Sequence, residues 1–365
     1  MDKNSPFKTA DWVHSSNIYE VNLRQYTLQG TINAFADELP RLKEMGVKTL
    51  WFMPITPIAQ KNKLGSMGSY YACSDYTAIN PEYGTMADWN YDTINKIAKL
   101  LTVDKAGKDA TQDGFDPANI VQWGFEPQRD DLRGLGAYWG AGSLAAADGK
   151  TAQIPEDWKT AWKFYYDGMW KDHFSMTGPI FQSTDINPEG YPFFTGKVAM
   201  SENFLWSTYG VAGAGDDWNL AAIPANGSKT TAAFNADTFR ILKSTKHPDE
   251  AFEVLTYLLG DASQELLTTY GGFPARIADQ PKGVEALQAQ FKNKVDWQVA
   301  IDGITHADNP NFEAYMPAYN ETLGLVGSGG KYTTKWESTE GLDMNAEFDA
   351  LQKEIQSIWD KAGGG

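Results

Sequence analysis

Few residues of this chain have the types and spacing of a catalytic or metal centre. The chain contains a single cysteine, Cys73, and four histidines. One cysteine excludes both an intramolecular disulfide and a cysteine-rich zinc site. The sequence also lacks a phosphate-binding loop, a Gly-x-Gly-x-x-Gly dinucleotide motif and a histidine-rich metal motif. We therefore expect no redox, phosphoryl-transfer or metal cofactor.

A group of four aspartates is the one feature that superficially suggests a cation site: Asp104, Asp109, Asp113 and Asp116. A calcium loop of the Asp-x-Asn/Asp-x-Asn/Asp-Gly type places its carboxylates at every second position, and this spacing does not fit. The pattern predicts a solvated loop rather than a calcium site.

Aromatic residues are the second candidate chemistry, since Phe, Trp and Tyr make up 13% of the chain and many lie beside Gly, Asn and Asp. Aromatic rings stack on the C–H faces of sugars while neighbouring amides and carboxylates bind the hydroxyls, so this composition favours a carbohydrate ligand. Ordinary core aromatics are the alternative interpretation.

The charge balance and the hydropathy of the sequence argue against nucleic acid as a partner and against a membrane span. Lys+Arg number 31 and Asp+Glu 47, for a net charge of −16, whereas nucleic-acid binding needs clustered basic residues. No apolar run reaches the ~18 residues of a membrane span. The N-terminus lacks the basic and then apolar order of a secretion signal, so we expect no signal peptide in this chain.

The elements that must position these residues are of mixed α and β type. Residues 17–23 alternate like a strand, Thr31 caps a helix that Gly46 ends, and residues 47–54 form a nearly continuous apolar strand. Such a strand is typical of a parallel sheet covered on both faces. Further segments predict helices at 92–101, 156–170, 248–260 and 341–361, and strands at 120–125, 198–202, 220–223 and 238–242.

A dense series of motifs lies between residues 11 and 89: Ile18–Tyr26, Leu39–Val47, Leu50–Ile55, Gly68–Tyr71, Asp75–Tyr76 and Pro81–Thr85. This segment closely resembles the start of the catalytic barrel of the α-amylase family of glycoside hydrolases. That family's retaining chemistry needs two carboxylates about 5 Å apart, carried on later barrel strands. The family's Asn-His pair, Arg-x-Asp segment and His-Asp pair do not occur after residue 89. We therefore expect no enzymatic activity.

A second series of motifs follows: Tyr91–Thr102, Phe193–Met200, His247–Leu255 and Gly271–Arg276. Residues 90–362 resemble the extracellular sugar-binding proteins of ABC importers, of the maltose-binding-like group. The resemblance implies an α/β fold of the two-lobed periplasmic-binding-protein type (type II). Residues 90–233 would then form lobe 2, and residues 234–365 the return to lobe 1, the hinge and the C-terminal helices.

The two resemblances meet near Trp89 and Asn90. The amylase-like βαβ segment, residues 1–89, stands where the start of lobe 1 is expected, and a βαβ unit is also how that lobe begins in the family. We interpret the chain as a chimera, engineered or recombined, that joins two α/β folds. A natural fusion is the open alternative.

Alignment on the family's motifs indicates which residues bind the sugar. Trp139 and Trp206 align with cleft aromatics, where a flat indole stacks on a pyranose; core tryptophans are the alternative for both. Five further residues fall at places expected to face the cleft: Asn235, Asp237, Arg276, Glu313 and Tyr315. Turn or capping roles are the alternative for Asn235 and Asp237, and pairing with a surface acid is the alternative for Arg276.

The sequence thus predicts non-catalytic oligosaccharide binding of the ABC-importer type. Two alternatives remain open: a glycoside hydrolase with unrecognised carboxylates, and a fold-recombination product that has lost binding. For the parent family the resemblance implies an extracytoplasmic location and an ABC permease partner. Transport by this chain itself is in doubt, because it carries neither signal nor N-terminal lipid-anchoring Cys.

Overall fold

The computed structural model describes residues 15–74, 79–84, 89–128, 132–186, 192–208, 218–235, 238–270, 272–291, 295–308 and 315–363. The chain divides into two compact units, Met1–Asn90 and Tyr91–Gly365.

The first unit contains the predicted βαβ arrangement. Its elements are β1 (Ile18–Val21), α1 (Leu23–Tyr26), α2 (Ile32–Ala36), α3 (Leu39–Glu44) and β2 (Thr49–Phe52). The strands pair in parallel with Ile18 opposite Thr49. The Thr31 hydroxyl accepts the N–H of Ala34, as an N-cap does. One predicted helix is thus two short ones, and a glycine with φ of 82°, Gly46, follows the second.

The prediction that the second strand is covered on both faces is wrong. Trp51 is 54% exposed and Phe52 38% exposed. In the described part of this unit the sheet has two strands. So small a sheet presents little surface against which other elements can pack. The small core of the unit consists of Val21, Leu23, Phe35, Leu42 and Tyr83.

The second unit contains a three-stranded sheet among helices. The strands are β3 (Val103–Asp104), β4 (Ile120–Glu126) and β5 (Val198–Ser201), in the order β3, β4, β5. β3 is antiparallel to β4, and β4 is parallel to β5, with Trp123 opposite Val198. The helices are α4 (Tyr91–Leu101), α5 (Leu132–Tyr138), α6 (Glu156–Trp170), α7 (Gly178–Phe181), α8 (Pro248–Leu259), α9 (Ser263–Tyr270), α10 (Gln280–Gln290), α11 (Gln298–Gly303), α12 (Tyr319–Val326), α13 (Lys331–Ser338) and α14 (Met344–Gly363).

These elements confirm the predicted helices α4, α6, α8 and α14 and the predicted strands β4 and β5 to within a few residues. The predicted strands at 220–223 and 238–242 are wrong, since the structure describes both ranges and assigns neither to a strand. A strand needs a neighbouring strand to satisfy its backbone polar groups. Phe239 and Leu242 remain 48% and 72% exposed, so this apolar run has no packing face either.

Aromatic side chains fill the core of the second unit. Trp158, Trp162 and Tyr165 of α6 are fully buried, and Trp336 of α13 and Phe348 of α14 lie in the same cluster. The ring centroids of Trp162 and Trp336 are 5.3 Å apart. The C-terminal helices therefore complete the core that residues 91–170 begin. No helix in the described ranges is both long and apolar enough to cross a bilayer.

The loop that carries the four aspartates is partly buried, contrary to the predicted solvated loop. Asp104 and Asp109 are 2% and 1% exposed. Burial acts to raise the pKa of Asp104, but backbone N–H donors from Lys108, Asp116 and Ala106 outweigh it and lower that pKa. Within the described residues, no three His, Cys, Asp or Glu side chains are grouped as metal ligands would be.

Candidate functional site

Two glutamates stand where the parallel strands β4 and β5 end. Glu126 is the last residue of β4 and pairs with Ser201, and Glu202 follows β5 directly. The backbone N–H of Glu202 donates to the carbonyl of Glu126 at 3.1 Å, which continues the ladder by one residue. In open α/β sheets, ligands bind outside the carboxyl ends of the strands. This edge is therefore the candidate site.

The Glu126 carboxylate is buried, with 3% of the residue exposed. The Ser175 hydroxyl and the Met176 backbone N–H both donate to its Oε2 atom at 3.0 Å. Hydrogen bonds of this kind make a buried carboxylate tolerable and hold it in one orientation.

The Glu202 carboxyl has a different environment. The Tyr91 hydroxyl donates to its Oε1 atom at 2.7 Å, and the backbone N–H of Gln128 also donates to it. Its Oε2 atom is buried and has no hydrogen-bond partner. Burial outweighs both hydrogen bonds and raises the pKa of Glu202 to about 7. The same burial, followed by the nearby Glu202 charge, raises the pKa of Tyr91.

Two stacked pairs of aromatic rings include Tyr91, which contacts Glu202, and two residues that follow Glu202 in the chain. Tyr91 and Trp139 have centroids 3.8 Å apart and planes 12° apart. Phe204 and Trp206 have centroids 4.0 Å apart and planes 17° apart, and the Tyr138 centroid lies 6.0 Å from that of Phe204. We call the Phe204 and Trp206 pair, which follows β5, the aromatic pair.

The two tryptophans that the sequence predicts as sugar-stacking rings differ in their exposure to solvent. Trp139 is 5% exposed and has Tyr91 on one face. Trp206 is half-buried and stands in the segment just after Glu202. The arrangement at Trp139 is that of the core alternative, whereas Trp206 retains surface that a ligand can contact.

Of the other predicted binding residues, the three that the structure describes are exposed. Arg276 is exposed and its Nη1 donates to Asp279 Oδ2 at 3.0 Å, which is the surface pairing considered as its alternative. Asn235 is exposed, and Tyr315 is 62% exposed. The predictions for Asp237 and Glu313 fall outside the described residues. As binding residues, all five remain predictions.

Sequence reasoning missed Glu126, Glu202, Tyr91 and Phe204. One signal was available: Glu126 directly follows the predicted strand 120–125, and Glu202 is the last residue of the predicted strand 198–202. Polar residues at the carboxyl ends of neighbouring parallel strands meet at one sheet edge. That β4 and β5 are neighbours, however, was not evident from two segments separated by more than 70 residues.

The raised pKa of Glu202 predicts how stability depends on pH. Its pKa rises from 4.5 in the unfolded chain to about 7 in the folded protein, so the folded state binds the proton more tightly. The contribution of Glu202 to the free energy of unfolding is therefore greatest below pH 4.5. It falls by about 2–3 kcal/mol as the pH rises to 7. Glu202→Gln should remove this dependence, which urea unfolding between pH 5 and 8 measures. A variant with the wild-type slope would contradict the assignment.

Comparison with known proteins identifies the family. A model described as bacterial extracellular solute-binding protein matches residues 69–278, more than half of the chain. The chain belongs to the bacterial extracellular solute-binding proteins. This confirms the resemblance that the motifs after residue 90 indicate, and the α/β fold class. Residues 7–99 match the model of the α-amylase catalytic domain, which confirms the resemblance of the first segment.

Two solved structures show the fold of this solute-binding protein. UspC of Mycobacterium tuberculosis is 20% identical, with a TM-score of 0.52 over 74% of this chain and 64% of that one. An ABC substrate-binding protein of Listeria monocytogenes, solved in complex with cycloalternan, is 14% identical, with a TM-score of 0.53 over 76% and 64%. The chain thus spans about 64% of the length of each structure.

Two sequence relatives match about a fifth of the chain. Alpha-amylase 3 of Dictyoglomus thermophilum is 31% identical over 83 residues, which are 21% of this chain and 15% of the relative. Maltase A1 of Drosophila melanogaster is 32% identical over 84 residues, 22% and 14% of the two chains. This solute-binding protein therefore carries only a small part of an amylase-type sequence.

Proposed function

We propose that this solute-binding protein binds an oligosaccharide, without converting it, at the carboxyl ends of β4 and β5. One observation carries the proposal: a half-buried indole, Trp206, is stacked on Phe204 in the segment that follows the two strand-end glutamates. An aromatic face beside fixed carboxylates supplies both kinds of contact that a sugar needs, since the ring packs on C–H groups and the carboxylates accept hydroxyls.

The chemistry of the two glutamates supports a neutral, hydroxyl-rich ligand. Glu126 is held in one orientation by two donors on Oε2, which fixes a carboxyl group at this edge. A ligand with its own negative charge would be repelled at this edge, whereas sugar hydroxyls donate to it. The Listeria protein with the same fold was solved with a cyclic oligosaccharide, cycloalternan, which supports the same ligand class here.

Removing the indole should weaken sugar binding much more than it weakens the fold. For Trp206→Ala we expect the Kd for cycloalternan or maltotriose to rise at least tenfold, about 1.4 kcal/mol or more, because the stacking face is lost. Isothermal titration calorimetry measures this. Trp51→Ala, which removes a 54% exposed tryptophan of β2, is the matched control and should leave the Kd unchanged. Wild-type protein that gives no heat with gluco-, xylo- or fructo-oligosaccharides would refute the proposal.

An enzymatic role is the second candidate, because residues 7–99 match a glycoside-hydrolase domain. The described unit supplies only β1 and β2 of such a domain, and the family's catalytic segments are missing from the sequence after residue 89. We infer binding without hydrolysis. A chromogenic maltoside assay tests this, and turnover that a single Asp or Glu substitution abolishes would overturn it.

We further infer a chimeric domain organisation. The two family matches overlap at residues 69–99, and the compact units divide at residues 90 and 91, which supports a junction near Trp89. On this proposal residues 1–89 complete lobe 1, residues 90–233 form mainly lobe 2, and the remainder includes the hinge and the C-terminal helices. The parent protein would act outside the cytoplasm and deliver its ligand to an ABC permease.

A further inference from the structure

Helix α8 carries an apolar face that is open to solvent. None of its twelve residues is buried. Six apolar residues follow the spacings of three and four that place side chains on one side of a helix, and we call them the α8 face: Ala251, Phe252, Val254, Leu255, Leu258 and Leu259. Phe252, Val254 and Leu259 are 59%, 57% and 50% exposed. Such a face normally packs against another element, because burial of apolar surface is what stabilises a helix of this length.

The exposed apolar surface continues into the segment that leads to α8. Phe239 and Leu242 are 48% and 72% exposed. With the usual sizes of these side chains, they and the α8 face expose about 600 Å² of surface. Two copies of this chain that met through it would bury about 1,200 Å² in total, which is the lower end of specific, stable interfaces.

The charges that flank α8 are complementary to themselves. Lys243 and Lys246 precede its N-terminus, Asp261 and Glu265 follow its C-terminus, and all four are exposed. Within the described ranges, none of these four side chains takes part in an ion pair. A twofold axis through the middle of the helix would bring the N-terminal flank of one copy against the C-terminal flank of the other. The lysines would then face the acidic residues at both ends of the helix pair.

We propose that the α8 face is the interface of a twofold-symmetric dimer of this chain, in which the two α8 helices pack antiparallel. A second copy matches both observations, because it supplies an apolar face of equal area and opposite charges at each flank. Leu255, near the middle of the helix, lies next to the axis and faces its own counterpart. The interface is separate from the proposed sugar site, since none of the residues of that site lies in α8.

Sedimentation velocity over a range of protein concentrations tests for this dimer. The net charge of −16 on each copy opposes association, so the buffer contains about 150 mM salt, which screens charges more than ~8 Å apart. We expect a reversible monomer–dimer equilibrium below about 100 µM protein. Phe252→Glu places two charges in the interface and should raise the dissociation constant of the dimer about a hundredfold. Leu64→Glu, at a 90% exposed leucine of the first unit, is the matched control and should leave it unchanged.

Charge reversal tests the antiparallel arrangement. Lys246→Glu and Asp261→Lys should each raise the dissociation constant about threefold to tenfold, because each places like charges opposite one another at both ends of the helix pair. The double variant restores opposite charges and should return the constant towards the wild-type value. Leu255→Cys in a Cys73→Ser background should give a covalent dimer on mild oxidation, through a disulfide across the axis.

The contrary outcomes are equally definite. Wild-type protein that stays monomeric up to about 100 µM overturns the dimer, as do species larger than a dimer. A dimer that Phe252→Glu leaves intact places the interface on another surface. A monomeric wild type whose free energy of unfolding falls in Phe252→Glu means that the same chain covers the α8 face, and the dimer is then refuted. A double variant that recovers no affinity overturns the antiparallel arrangement.

Discussion

Gly124→Ala should unfold the second unit or lower its free energy of unfolding by more than about 4 kcal/mol, the exceptional end of single substitutions. Gly124 lies in β4, where α4 crosses so closely that a Cβ would overlap the carbonyl oxygen, carbonyl carbon and Cα of Ala98. These are backbone atoms, so no side-chain rotation relieves the clash. The Gly124 N–H also donates to the Thr102 hydroxyl at 3.0 Å, and moving α4 away would break that bond. Urea unfolding followed by circular dichroism measures the loss.

A matched control for this change is Gly142→Ala. Gly142 is not helical, has no left-handed φ, and a Cβ there would meet nothing within 4 Å. We expect the free energy of unfolding of the Gly142→Ala protein to stay within about 0.5 kcal/mol of the wild-type value. If Gly124→Ala were equally mild, the close approach of α4 to β4 would be incorrect, and the positions of Tyr91 and Glu126 relative to each other would need revision.

Trp139→Ala should be a stability mutation, with an expected loss of about 3–5 kcal/mol of unfolding free energy. The indole is 5% exposed, and its ring centroid lies 3.8 Å from that of Tyr91 and 5.2 Å from that of Phe164, so alanine would leave a cavity among these rings. Its backbone carbonyl also accepts the Asn226 side-chain amide at 2.8 Å. Sugar binding would fall as a consequence, because Tyr91 loses the ring that holds it against Glu202.

Comparison with Trp206→Ala separates the two roles of tryptophan. Trp206→Ala, which removes a half-buried ring, should lower the free energy of unfolding clearly less than Trp139→Ala does. It should weaken sugar binding more. Trp139→Phe, which keeps a ring on Tyr91, should recover part of the stability that alanine removes. A Trp139→Ala protein that remains within about 1 kcal/mol of the wild type but no longer binds sugar would restore the original prediction of a stacking residue.

Local signals identified most regular elements. Helix α8 begins at Pro248 and ends before Gly260 as predicted, and β1 and β2 pair in parallel as the βαβ pattern indicates. The failures have a common physical reason. Residues 238–242 have a strand-like composition but form no strand, because a strand is stabilised by partners that composition does not specify. The exposure of Trp51 likewise depends on which elements cover β2.

The sequence by itself determined the family and the mixed α/β class, whereas the two sugar-stacking tryptophans remain predictions. It did so because motifs, caps and hydrophobic periodicity act over short stretches of chain. Only the tertiary structure decided which tryptophan is buried and which is partly accessible, and only it joined Glu202 to Glu126 through the backbone and to Tyr91 through its carboxyl. Those contacts join residues up to 111 positions apart. The burial of Glu202, its Oε2 atom without a hydrogen-bond partner and its raised pKa all arise from that packing, because desolvation depends on all the neighbours of a group.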